Sequence, residues 1–127
     1  MSDFSEWVER HGAEIKQIRA MLADPLDDGP ARRSQQVRSI EAQYGRVTFL
    51  LAYANNFLDG AENDAWKKSM EGISAQKEAI VAEAVREERL LRDVLAGMEK
   101  AIERRISLAQ SFMRVDEREA HASRAKA

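Results

Sequence analysis

The sequence contains no cysteine, and proline and glycine are scarce, with two and six residues among 127. The absence of cysteine excludes disulfides, thiolate metal sites and cysteine nucleophiles. No apolar run approaches the roughly 20 residues of a membrane-spanning helix. Acidic residues stand near the start, where a secretion signal needs basic ones. We therefore expect a cytoplasmic protein.

The net charge is only −2, but the charges are distributed unevenly along the chain. Residues 1–30 carry seven acidic and three basic side chains, whereas residues 30–50 carry four arginines against Glu41 alone. Residues 100–127 carry seven basic and four acidic side chains. An acidic head thus precedes two basic neighbourhoods, which keeps binding to a polyanion possible despite an acidic pI.

The first helix is predicted to start near Asp3, which can cap the first turn while Glu6 completes a capping box. Its apolar positions alternate in steps of four and three, with His11 filling one gap. They are Phe4, Val8, Ile15, Ile18 and Leu22. Prolines and glycine at residues 25–30 then predict a linker.

The second helix is predicted to open with Pro30 in its first turn, where a missing N–H is harmless. Its apolar residues repeat at three-four spacing and are flanked by Phe49, Leu50, Tyr53 and Phe57. The repeat comprises Val37, Ile40, Tyr44, Val47, Leu51, Ala54, Leu58 and Ala61. A glycine at position 60 or the following Asn-Asp pair predicts an end or a kink, before a short helix at residues 65–70.

The third helix is predicted to begin with Ser74 as its cap and to run to about His121, a length of about 70 Å if unbroken. Gly97 lowers local helix stability by roughly 1 kcal/mol and predicts a kink or a close helix crossing. We expect the apolar stripe of this helix to drive self-association. Its central residues are Leu91, Leu95, Met98 and Ile102.

These elements predict an all-α fold: an elongated helical hairpin with one very long C-terminal helix and an N-terminal helix, assembling into a homo-oligomer. Extended helices leave apolar surface that a partner has to cover. The predicted organisation is an N-terminal amphipathic helix, a linker, a hairpin for oligomerisation and DNA binding, and a frayed tail. The respective residues are 1–24, 25–30, 31–121 and 122–127.

Chemistry-bearing motifs are absent from the sequence. His11 and His121 are far apart in the sequence and neither is accompanied by the full set of ligands that a metal site requires, and no glycine-rich phosphate loop or nucleophile motif occurs. We therefore expect a protein that is not an enzyme and that needs no metal or cofactor. His11 is most simply a residue of the helix seam.

Two groups of residues are candidates for nucleic-acid binding. Trp66, Lys67 and Lys68 combine an aromatic ring with two positive charges, which suits base stacking and phosphate neutralisation; a tryptophan packed on the helix pair is the simpler alternative. A hairpin turning near residue 67 would also bring arginines of the second helix beside basic residues of the third. The predicted DNA-binding residues are Arg32, Arg33, Arg38, Arg46, Lys100, Arg104 and Arg105.

Five segments of the chain resemble the UvsY-type recombination mediators of tailed phages. They are IEAQ at 40–43, FLDG at 57–60, SAQKE at 74–78, RDVLAGMEKAIERRI at 92–106 and SLAQSFMR at 107–114. The resemblance covers about residues 39–119 and rests on spacing and a few identities. The long C-terminal helix of that family carries a similar run, with a glycine, an alanine-isoleucine pair, a basic pair and a final arginine.

The resemblance implies a ring-like homo-oligomer that binds single-stranded DNA and helps a RecA-like recombinase replace single-strand-binding protein. Residues 49–54, FLLAYA, depart from the family, whose second helix tends to carry lysine and arginine there. The alternative is a phage-type assembly or interaction protein, such as a scaffold component or an inhibitor of a host factor, that does not bind DNA.

Overall fold

A computed structural model describes residues 2–69 and 74–126, and these residues form helices and no strand. The helices are α1 (Asp3–Ala23), α2 (Pro30–Lys68), α3 (Ser74–Ala84) and α4 (Arg86–Lys126). The all-helical prediction is confirmed, as is the long C-terminal helix. Helix continues through Lys126, where the sequence had suggested a frayed tail from residue 122.

The first helix begins one residue after its cap, and that cap is Ser2 instead of the predicted Asp3. The Ser2 hydroxyl accepts a hydrogen bond from the Ser5 amide at 3.2 Å, and its carbonyl accepts from the Glu6 amide at 3.0 Å. Asp24 ends the helix in an extended conformation, as expected for a residue before proline.

The linker after α1 is held against the start of α2 by one glutamine side chain. Gln36 accepts a hydrogen bond from the Asp27 amide at 2.7 Å and donates one to the Pro25 carbonyl at 3.0 Å. Leu26 is half-buried against the main core. The linker therefore fixes the turn between α1 and α2.

The second helix is continuous across 39 residues, so the break predicted near Gly60 is wrong. Helical hydrogen bonds tolerate an isolated glycine, at a cost of about 1 kcal/mol. The helix ends at Lys68, and Ser69 caps it by donating its amide to the Ala65 carbonyl at 3.1 Å. Residue 70, the end of the predicted short helix, lies outside the described residues.

The predicted third helix is present as two segments, α3 and α4, that meet at Val85. The Val85 amide donates to the Val81 carbonyl at 3.0 Å, and its carbonyl accepts from the Arg89 amide at 2.9 Å. Helical hydrogen bonding therefore passes through the junction. A Cβ at Gly97 would meet no atom within 4 Å, so the predicted close crossing there is wrong.

Three helices enclose the main core in an up-down-up arrangement. Phe4 contacts Phe57 while Glu14 contacts Arg46, so α1 runs antiparallel to α2. The pairs Tyr44–Glu103 and Thr48–Glu99 show that α4 also runs antiparallel to α2. The buried residues of this core are Trp7, Ile15, Ile18, Leu22, Ile40, Val47, Leu50, Ala54, Leu95, Met98 and Ile102.

The residues predicted for oligomerisation form part of this internal core. Leu95, Met98 and Ile102 are buried against the other helices, and Leu91 is half-buried beside them. Burying a leucine or isoleucine side chain contributes about 1.5–3 kcal/mol. These residues therefore stabilise the single chain, and self-association would require other side chains.

A smaller core lies where α2 meets α3, past the point at which the first residues of α1 contact α2. Its buried residues are Leu58, Ala65, Val81 and Val85, with Ala61 packed against them. We call this two-helix region the tip, and the region enclosed by α1, α2 and α4 the middle.

Candidate nucleic-acid interface

The register of α2 against α4 differs from the one that the sequence indicated. Arg33 forms an ion pair with Asp116, whereas the sequence had suggested neighbours around residues 100–105. Asp116 lies 12 residues after Arg104, or about 18 Å further along the helix. The arginines that open α2 therefore do not converge with Lys100, Arg104 and Arg105.

Arg33 is engaged inside the protein. Its side chain is 5% exposed, and its guanidinium binds the Asp116 carboxylate. The guanidinium carbon lies 5.0 Å from the centroid of the Phe112 ring, and Nη1 donates to the Asp28 carbonyl at 3.4 Å. Such a charge is stabilised by pairing and hydrogen bonding when it leaves water. Arg33 joins the start of α2 to the far half of α4.

Arg46 fastens α1 to α2. Its Nη2 atom donates to Glu14 Oε2 at 2.9 Å, and its guanidinium carbon lies 5.2 Å from the Phe49 ring centroid. The hydrogen bond from Arg46 lowers the pKa of the Glu14 carboxyl below its usual value, although burial opposes the shift. His11 Nδ1 lies 3.4 Å from Arg46 Nη2, and its ring lies against Trp7, as expected for a seam histidine.

Arg105 closes the C-terminal end of α1. Its Nη2 atom donates to the Leu22 carbonyl at 2.8 Å. The last turn of α1 contains no basic residue, so Arg105 supplies from α4 the positive charge that favours a helix C-terminus. Three of the seven predicted DNA-binding residues thus have contacts within the chain.

The other four predicted residues are exposed, but they lie on different surfaces. Arg32 and Arg38 are near the start of α2, while Lys100 and Arg104 are on α4 beside the middle of α2. The two on α4 belong to a larger exposed row. It comprises Lys100, Arg104, Ser107, Ser111, Arg114 and Arg118.

These six residues, which we call the outer stripe, share one face of α4. Their spacings of four, three, four, three and four keep them within about 40° of one line on the helix, over about 27 Å. The face lies away from buried Ile102 and Ala109. No acidic side chain falls on it; Glu103 and Glu117 lie beside it, and Glu103 accepts a hydrogen bond from Tyr44.

The outer stripe has properties that suit a polyanion. Within residues 2–69 and 74–126, none of its four basic side chains forms an ion pair. A row of unpaired cations can neutralise successive phosphates of a nucleic-acid strand, and the Ser107 hydroxyl can donate a further hydrogen bond. The Ser111 hydroxyl donates to the Ser107 carbonyl within the helix at 3.2 Å. Sequence reasoning missed Arg114 and Arg118, although their helical spacing from Lys100 could have identified them.

Trp66 lies in the last turn of α2, and its side chain is 43% exposed. Lys67 and Lys68 are exposed beside it in sequence. This group is separated from Arg38 by 28 residues of the same helix, or about 42 Å. The tryptophan is therefore accessible for stacking, but at the opposite end of α2 from the first arginines.

The described part of the chain contains no group of three histidine, aspartate or glutamate side chains placed to hold a metal ion. Nor does any helix within residues 2–69 and 74–126 combine the length and apolar character needed to cross a membrane.

Comparisons of this chain with models of protein families, with curated proteins and with solved structures find no match.

Proposed function

We propose that this protein binds single-stranded DNA through the outer stripe of α4 and acts as a recombination mediator. The observation that carries the proposal is the row of four exposed cations on one helix face, which form no ion pair with the described residues. Each cation that meets a phosphate releases counterion, so several aligned contacts give affinity without sequence readout.

A single strand suits the surroundings of the outer stripe. Leu108 and Val115 are both 48% exposed and follow Arg104 and Ser111 by four residues each, so they border the stripe. Apolar side chains next to cations favour a strand whose bases are unpaired and accessible. A duplex offers its phosphates to the same cations but keeps its bases stacked inside.

The mediator role is proposed from the resemblance to UvsY-type proteins together with this surface. Its mechanism is binding, without bond chemistry. A protein that occupies the strand beside single-strand-binding protein can open a site at which a RecA-like recombinase assembles. Several copies on one strand multiply weak phosphate contacts into avidity.

Self-association remains part of the proposal, but through a surface other than the one expected from the sequence. Leu95, Met98 and Ile102 are internal, so copies would meet through exposed apolar side chains. The large ones are Tyr44, Phe49, Tyr53, Trp66, Ile80, Leu90, Leu108, Phe112, Met113 and Val115.

The alternative, an assembly or interaction protein, is favoured by one groove. Phe4, Val8, Leu91 and Val94 line an apolar channel between α1 and α4, and Leu90 at its edge is 64% exposed. Lys16 and Arg19 stand on the α1 side and Glu87 on the α4 side. An amphipathic helix of another protein would bury apolar surface there without contacting DNA.

The two functions are separated by measuring binding to labelled oligothymidylate and to a duplex of equal length across a salt series. The mediator proposal predicts tighter binding to the single strand, weakening with salt by about 0.7 log units per log unit for each phosphate contact. It also predicts faster recombinase assembly on a strand coated with single-strand-binding protein. A wild-type chain that binds no DNA at low salt would refute the proposal and leave the interaction protein.

A further inference from the structure

The outer face of α2 carries an exposed aromatic group. Phe49 is 48% exposed and Tyr53 is 42% exposed, and their ring centroids lie 4.9 Å apart in an edge-to-face arrangement. Both residues point away from the buried face of α2 that contains Val47, Leu50 and Ala54. These rings are therefore open to solvent in the middle of the molecule.

Helix α1 supports this group from the side. The Trp7 ring lies 6.1 Å from the Tyr53 ring at an interplanar angle of 22°, and it also lies 5.8 Å from Phe57. Trp7 itself is buried. Tyr53 thus lies between Phe49 and a fixed indole, which restricts its ring before any ligand arrives and lowers the entropic cost of binding.

The stretch of α2 that carries these rings has little net charge, and the acidic helix α1 lies on one side of it. Between Glu41 and Asp59 the helix contains no acidic residue. Arg46 is partly exposed beside Phe49, but Glu14 balances its charge. The exposed amide of Asn56, two helical turns after Phe49 and so on the same side of α2, offers hydrogen-bond donors and acceptors of the kind that base edges require. The face therefore offers more to bases than to phosphates.

We propose that Phe49 and Tyr53, supported by Trp7, form a stacking platform for the bases of a single-stranded nucleic acid. The inference rests on the proposed DNA binding and assigns its base contacts to α2, where the outer stripe contributes phosphate contacts from α4. The platform faces away from α4, so the two surfaces are separately testable. Base stacking on aromatic rings tolerates any sequence, as a mediator requires.

The test uses Trp7 as a reporter in a Trp66→Phe background, which leaves one tryptophan in the chain. Oligothymidylate of about 16 nucleotides, within the site sizes seen for single-strand binders, is added at fixed salt. We expect the strand to quench Trp7 fluorescence through the adjacent Tyr53. An abasic strand with the same number of phosphates should bind more weakly and leave the fluorescence almost unchanged.

Tyr53→Ala should weaken binding of oligothymidylate roughly tenfold, in line with the loss of one stacked base, and leave the salt slope unchanged. Ile80→Ala is the control, because it removes an exposed apolar side chain from α3, away from both proposed DNA surfaces, and should leave the affinity unchanged. Phe49→Leu keeps the apolar volume without the ring and does not touch Trp7. It should weaken binding even if Tyr53→Ala disturbs α1.

Three results would overturn the platform. If Tyr53→Ala and Phe49→Leu bind like the wild type, the bases lie elsewhere while DNA binding itself stands. If both variants instead lower the molecular mass in solution and leave strand affinity intact, this face joins copies of the chain. If the wild type binds neither oligothymidylate nor the abasic strand at low salt, the proposed function fails together with the platform.

Discussion

The middle and the tip of the molecule use the same helix, α2, in different ways. In the middle, α1 and α4 enclose it, and large side chains such as Leu50, Leu95 and Ile102 are completely buried. At the tip α1 no longer covers α2; α3 and its junction with α4 pack there instead, and the second core is made largely of alanine and valine. Two helices shield a narrow line of residues, whereas three shield a full interior.

Helix α1 is an integral part of the middle. It is acidic and a linker separates it from α2, yet four of its side chains belong to the main core: Trp7, Ile15, Ile18 and Leu22. Arg46 and Arg105 hold it from the two other helices. The difference between the middle and the tip is the presence of this one helix.

The largest effect is expected from removing α1. Deleting residues 2–24 takes four buried side chains from the main core and uncovers apolar faces of both α2 and α4. We expect the remaining chain to lose cooperative urea unfolding and to bind a hydrophobic dye. A truncated chain that unfolds cooperatively with wild-type stability would show that the middle does not depend on a third helix.

A buried leucine can be replaced by alanine in each of the two regions. Leu95→Ala in the middle and Leu58→Ala at the tip each remove one buried leucine side chain. We expect a loss of about 4–5 kcal/mol at Leu95 and about 2–3 kcal/mol at Leu58, because a two-helix core can relax into the cavity more easily. Urea unfolding measures the loss of stability of each variant, and equal losses would contradict the expected difference between the middle and the tip.

Arg32 and Arg33 are neighbours in the sequence, but Arg33 is buried in an ion pair whereas Arg32 is exposed. Arg33→Met leaves Asp116 without its partner and removes the guanidinium from Phe112, so we expect a loss of about 1–3 kcal/mol. Arg32→Met changes an exposed side chain and should alter stability by less than about 0.5 kcal/mol. If the two variants unfold at the same urea concentration, the ion pair contributes nothing.

The smallest effect concerns pH. The folded protein lowers the pKa of Glu14 through Arg46, so this carboxylate stabilises the fold above its unfolded pKa of about 4.3. That contribution is lost as the pH falls through the lower folded value. Glu14→Gln should therefore be less stable than the wild type near neutral pH, with a difference that shrinks below about pH 4. Glu9→Gln removes a carboxylate from an exposed position of the same helix and should change the stability near neutral pH by less than about 0.5 kcal/mol.

Much of the fold could be predicted because it depends on local pattern. Apolar spacing identified the buried residues Ile40, Val47, Leu95 and Ile102. The helix-breaking residues at 24–30 marked the segment that separates α1 from α2. The apolar spacing of α1 did not identify Trp7, because Trp7 lies one residue before the seam position Val8. Its ring nevertheless packs against Phe57 of α2. Periodicity identifies a helix face but not how far a large side chain extends from it.

The candidate site was harder to predict because it depends on register. The sequence placed the hairpin turn near residue 67, and the observed pairs shift α4 along α2 by several turns. Arg33, Arg46 and Arg105 found partners in other helices, which charge alone does not reveal. The outer stripe could have been predicted without knowing how α4 is aligned with α2, because all of its residues lie on one helix.

The most direct test of the account is the salt dependence of binding to a labelled oligothymidylate when two cations of the outer stripe are removed. Arg104→Gln with Arg118→Gln keeps helix propensity and should reduce the slope of log affinity against log salt by about 1.4, or 0.7 for each lost contact. Arg10→Gln with Arg86→Gln removes the same charge from exposed positions elsewhere and should leave the slope unchanged. Equal slopes for the two double variants, at unchanged molecular mass in solution, would contradict the assignment of the outer stripe to DNA.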